Sequence, residues 1–77
     1  MICTKLEDLD KENPNYPILL DLIEKGAIQI FENECRAVIY SKTPEYQDAF
    51  KILGQASVEM GIASYLASNH YSVGYTK

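Results

Sequence analysis

The stretch Ala27 to Glu45, AIQIFENECRAVIYSKTPE, decides how this chain is read, because the spacing of its apolar residues changes within it. Ala27 to Phe31 and Cys35 to Tyr40 are rich in isoleucine, valine and aromatics, with polar Glu32-Asn33-Glu34 between them. Two such runs around a polar triplet predict a β-hairpin. If Ile28 and Ile30 face a core, Gln29 faces out. The second strand can present either Ala37 and Ile39 or Val38 and Tyr40, since one sequence does not set the register. Thr43-Pro44-Glu45 then opens a helix, with a capping hydroxyl, a proline at the first helical position and an acid near the positive end of the dipole.

Downstream, no proline follows Pro44, so one helix is expected to run to about Ser68. At 1.5 Å per residue it would be ~37 Å long. Ala49, Leu53, Ala56, Met60, Ala63 and Ala67 recur at spacings of four and three and lay an apolar seam along it. Gly54, Ser57, Gly61, Ser64 and Ser68 form a line of small residues beside that seam, and Glu59 is the only formal charge between Ile52 and Ser68. A helix apolar nearly all round has to be buried nearly all round. One hairpin and two short helices can scarcely enclose it, so the helix is expected to meet a symmetry mate, with Gly54, Ser57, Met60, Gly61 and Ser64 at the dimer interface. After Asn69, an acceptable left-handed cap, Tyr71, Val73 and Tyr75 alternate with His70, Ser72 and Gly74 and predict a third strand.

Upstream, Thr4-Lys5-Leu6-Glu7 matches a capping box and predicts a short helix from Lys5 to about Glu12, held by Leu6 and Leu9. Asn13-Pro14-Asn15 breaks it. Pro17 suits the first position of a second helix, which should stop at Gly26 and present Ile18, Leu19, Leu22 and Ile23 on one face. The order α-α-β-β-α-β predicts a single α+β domain over residues 1–77, with the long C-terminal-half helix packed on a small antiparallel sheet.

Length and charge bound the function. The chain has 77 residues and a net charge of -4, which excludes a large enzyme. At a pI of about 4.8 it lacks the positive field that draws proteins to nucleic acid or anionic lipid. There is no run of 18 apolar residues and no basic-then-apolar leader, so neither membrane association nor secretion is expected, and the default compartment is cytoplasmic. Cys3 and Cys35 are accordingly expected to be free thiols.

No catalytic, cofactor or metal residues are expected. His70 with either cysteine lacks a thiol-catalysis motif, the three lack the paired spacings of structural zinc, and no phosphate-binding glycine loop or GxSxG exists. Residues 1–34 hold three lysines against eight acids. Within them Glu7, Asp8, Asp10 and Glu12 form an acidic run suited to a basic surface on a protein partner, on the helix expected to adjust most readily on binding. Tyr71 and Tyr75, near Tyr40, are candidate anchors of a binding platform. Glu59 reads as an exposed helix edge whose truncation should matter little.

The reading is a non-enzymatic protein-binding module, homodimeric, acting as an inhibitor or regulator of another protein; small acidic inhibitors from phage and mobile elements offer an analogy of size and charge. The competing reading is a small-ligand binder or small enzyme with a pocket between the long helix and the sheet, where Glu59 would matter most.

Overall fold

The computed structural model describes residues 2–53 and 55–76, and the side chains of these except at 52, 53, 55 and 56. The architecture is α+β: helix α1 (Asn15–Glu24), strand β1 (Ile28–Phe31), strand β2 (Arg36–Ile39), helices α2 (Pro44–Leu53) and α3 (Gln55–Ser68), and strand β3 (Ser72–Tyr75). The sheet order is β1-β2-β3.

The hairpin forms where the sequence places it. Ile28 pairs with Ile39 and Ile30 with Ala37, which settles the register in favour of Ala37 and Ile39 as the inward pair; both are fully buried. The sheet is mixed rather than antiparallel, because β3 runs parallel to β2, pairing Arg36 with Ser72 and Ile39 with Tyr75. Two helices intervene between β2 and β3 and carry the chain back to the start of the sheet, which is how parallel neighbours are joined.

The expected single long helix is replaced by two. Tyr46 on α2 donates its hydroxyl hydrogen to the Glu59 carboxylate on α3. In one straight helix those residues would lie about 20 Å apart along the axis, beyond the reach of two side chains. Gly54 lies outside the described residues. The break also disrupts the phase of the expected seam. Tyr46, Ala49 and Phe50 of α2 and Ile62, Tyr65 and Leu66 of α3 are buried, whereas Met60 is 73% exposed and Ala67 is exposed. The larger side chains take the core, and α3 keeps an open outward side.

Thr43 caps α2 as its sequence predicts: its Oγ1 accepts from the Tyr46 N–H at 3.3 Å and donates to the Tyr40 carbonyl at 2.8 Å. α1 starts two residues earlier than the proline pattern indicates. Pro17 sits in its first turn, where the missing N–H has no intrahelical partner to lose. The α1 end is a Schellman motif, with Ala27 N–H bonded to Leu22 O, Gly26 N–H bonded to Ile23 O, and Gly26 at φ +78. α3 ends in the same pattern, but the left-handed position falls on His70, at φ 70, and not on Asn69.

The expected N-terminal helix is a single 3-10 turn, Leu6–Asp8, bounded by extended residues Lys5 and Leu9, and its cap makes no side-chain hydrogen bond. A helix over 5–12 would be too short to stand alone and would set Asp8 against Glu12 and Glu7 against Asp10 at repulsive spacings. Tertiary bonds take its place. Thr4 N–H bonds Asn69 O at 3.2 Å, and the hydroxyls of Tyr71 and Tyr65 donate to the carbonyls of Thr4 and Asp10 at 2.7 and 3.0 Å. Leu9 is buried at 3% exposure. Cys3 and Cys35 are joined by a disulfide, with Cα atoms 5.5 Å apart, contrary to the expectation of free thiols. Sequence separation says nothing of this proximity, which only the tertiary path of the strap creates.

Candidate functional site

Three regions bring functional side chains together: the outward side of α3, the flank where α2, α3 and β3 meet, and the corner around the disulfide. The space between helices and sheet is not one of them. Ala37, Ile39, Phe50, Ile62 and Leu66 fill it, each fully buried.

On the outward side of α3, Ser57, Met60, Ser64 and Ala67 are exposed and uncharged. Gly61 is half-buried and turned toward α1: a Cβ there would stand 3.2 Å from Asn15 Oδ1. Its lack of a side chain is therefore explained by packing within the chain. Gly54, the remaining candidate of that line, lies outside the described residues.

On the flank, Glu59 is half-buried rather than an exposed edge. It accepts the Tyr46 hydroxyl, and the Tyr75 phenol lies close enough to feel its charge. Burial raises the Tyr46 pKa well above that of a free phenol, and the hydrogen bond to Glu59 and its charge raise it further. Tyr75 is raised by burial first and by Glu59 second. Both phenols therefore stay neutral at neutral pH, and the Tyr46 hydroxyl remains a donor to Glu59. The hydrogen bond is a polar pin joining α2 to α3, with the end of β3 beside it.

The two tyrosines proposed as a platform separate. Tyr71 is buried and bonded to Thr4, so its ring anchors the N-terminal strap, while Tyr75 is 48% exposed at the end of β3. Tyr40 follows Ile39, the partner of Tyr75, but its hydroxyl turns to β1 and donates to Gln29 Oε1 at 2.5 Å. Glu7, Asp8, Asp10 and Glu12 are all exposed. Their one mutual contact runs from the Glu12 N–H to Asp10 Oδ1 at 3.1 Å. Among the described residues no group of three His, Cys, Asp or Glu side chains is placed to hold a metal ion.

At the disulfide corner an open cavity of about 480 Å³ is lined by Glu34, Cys35, Ala67, His70, Tyr71 and Ser72. A smaller one of about 160 Å³ touches both Cys3 and Cys35. The sequence pairs His70 with cysteine only as a remote option, since positions 35 and 70 are far apart in the chain. The β2–β3 pairing brings them to one cavity.

No family model, curated protein or solved structure matches this chain. No helix among the described residues is long and apolar enough to cross a membrane.

Proposed function

We propose that this is a non-catalytic protein-binding module that pairs with a second copy of itself through the outward side of α3 and regulates or inhibits a further protein partner. The observation that carries the reading is Met60, 73% exposed on a helix side with no outward charge. A helix side that stays in water is ordinarily charged or polar, whereas a flexible thioether between small residues suits close packing against another surface. Glu59, the one charge within α3, is taken up by the Tyr46 hydroxyl. The exposed acids Glu7, Asp8, Asp10 and Glu12 would then meet a basic surface on the further partner. The disulfide counts against the cytoplasmic residence expected from the sequence, since cytosolic thiols are normally kept reduced.

Sedimentation equilibrium at tens of micromolar tests the pairing. Wild type is expected at twice the chain mass, and Met60→Glu at the chain mass with its circular dichroism unchanged. Gly61→Leu is unsuited to this purpose, because its side chain would collide with Asn15 inside each copy. A monomeric wild type would overturn the pairing.

A further inference from the structure

We propose that the Cys3–Cys35 disulfide is an exchange site for low-molecular-weight thiols, in which Cys35 is the sulfur attacked and Cys3 the sulfur that leaves. Three observations converge on this assignment. The first is asymmetry of access. Cys3 is 4% exposed, whereas Cys35 is half-buried and lines both the 480 Å³ and the 160 Å³ cavities. An incoming thiol therefore reaches Cys35 by two routes and Cys3 by the narrower one alone.

The second is backbone conformation. Among the described residues, the non-glycine positions with positive φ are Cys35 at 51 and His70 at 70, and both line the larger cavity. Such conformations are unfavourable for a residue with a side chain. The chain meets the same requirement with Gly26 at the end of α1. At this corner it keeps two side chains, a sulfur and an imidazole, in the less favourable backbone state, facing one opening.

The third is polar support. The Cys3 backbone N–H donates to Cys35 Sγ at 3.1 Å. In the reduced protein that donor would stabilise negative charge on Cys35, the sulfur that attacks RSSR in the first step of re-oxidation, before Cys3 displaces RS⁻ and closes the disulfide.

The exchange is balanced as follows. The thiolate RS⁻ attacks Cys35 Sγ; the R–S–Sγ bond forms, the Cys35–Cys3 bond breaks, and the electron pair leaves on Cys3 Sγ, which takes a proton from water. One disulfide replaces another, so this step involves no net oxidation. A second thiolate attacks the sulfur of R in the mixed disulfide and departs with it as RSSR. Two thiols have then lost two electrons to Cys3 and Cys35, and the leaving Cys35 thiolate is free to be protonated.

Glutathione is the probe. Oxidised wild-type protein is incubated with reduced glutathione under native conditions, quenched in acid, alkylated with a maleimide and mapped by peptide mass spectrometry. The expected result is glutathione on Cys35 and maleimide on Cys3, at least tenfold in excess of the reverse arrangement. Comparable amounts of both, a majority on Cys3, or adducts that form only in denaturant would overturn the proposal. A second arm uses Cys3→Ser, checked for native circular dichroism, with oxidised glutathione. Its Cys35 thiol should be modified without denaturant, and a folded but unreactive variant would also overturn it.

Discussion

The N-terminal segment 2–13 and helix α3 are held in opposite ways. The first has only a single 3-10 turn of regular structure, yet it is fixed by a disulfide, two tyrosine hydroxyls, the Thr4–Asn69 bond and the burial of Leu9. The second is a regular helix of 14 residues that uses Ile62, Tyr65 and Leu66 for the core and leaves Met60 in solvent. Regularity and anchorage are thus separate properties. A segment read from its own pattern as the part most able to adjust is tied to the rest at several points, and the longest helix carries the side left uncommitted.

The largest effect should come from the tie that local pattern cannot report. Closing a loop between residues 32 apart is worth about 3 to 4 kcal/mol on the chain-entropy account. Urea unfolding with and without reductant should show that loss. A change below about 1 kcal/mol would mean that the hydrogen bonds and Leu9 hold the strap without the disulfide.

Next comes the pin on the flank of α3. Glu59→Ala leaves the buried Tyr46 hydroxyl without its acceptor and should cost about 1 to 3 kcal/mol, in place of the small effect expected for an exposed edge. The phenols add a pH dependence. Burial raises the pKa of Tyr46, Tyr65, Tyr71 and Tyr75 in the folded chain, with Glu59 adding to it for Tyr46 and Tyr75, Asp10 for Tyr65 and Glu32 for Tyr71. A raised folded pKa gives stability that is fully present below the free phenol value of about 10 and is lost as pH rises beyond it. Thermal melts between pH 9 and 12 should fall from that point upward, and Tyr46→Phe should make the fall shallower. An equally steep fall in that variant would remove Tyr46 from the effect.

Smaller is the loss from either strap hydroxyl. Tyr71→Phe and Tyr65→Phe each remove one donor to a strap carbonyl and should cost about 1 kcal/mol, seen as faster amide exchange in residues 4–10 with α3 unaffected. Exchange that quickens in α3 instead would reverse the comparison. Smallest is neutralisation of Glu7, Asp8, Asp10 and Glu12, which are exposed; it should change stability by less than about 0.5 kcal/mol and show its effect, if any, in the rate and salt dependence of partner association.

How much of this was legible in the sequence follows the same division. The hairpin, the Thr43 cap, the stop at Gly26 and the third strand are local signals, and each is present. What sequence reasoning missed is tertiary. The direction of β3 depends on where the α2–α3 pair returns the chain. The break between those helices has no proline to mark it, and Met60 and Ala67 of the expected seam yield to Ile62, Tyr65 and Leu66 because larger side chains gain more from burial. The disulfide corner joins Cys3, Cys35 and His70 from three separated stretches. Of its members only the chemistry of the side chains was visible in advance; their meeting depends on the path of the strap and on the pairing of β2 with β3. Glu59 is legible as an isolated acid, but its phenol partner Tyr46 comes from α2, which no spacing within α3 reveals.

The most direct test of the account is the oxidation rate of the Met60 thioether by dilute peroxide, followed by mass spectrometry as protein concentration is raised. If the outward side of α3 closes on a second copy, Met60 should react like free methionine in dilute solution and severalfold more slowly at tens of micromolar. A rate equal to that of free methionine at every concentration would contradict the account.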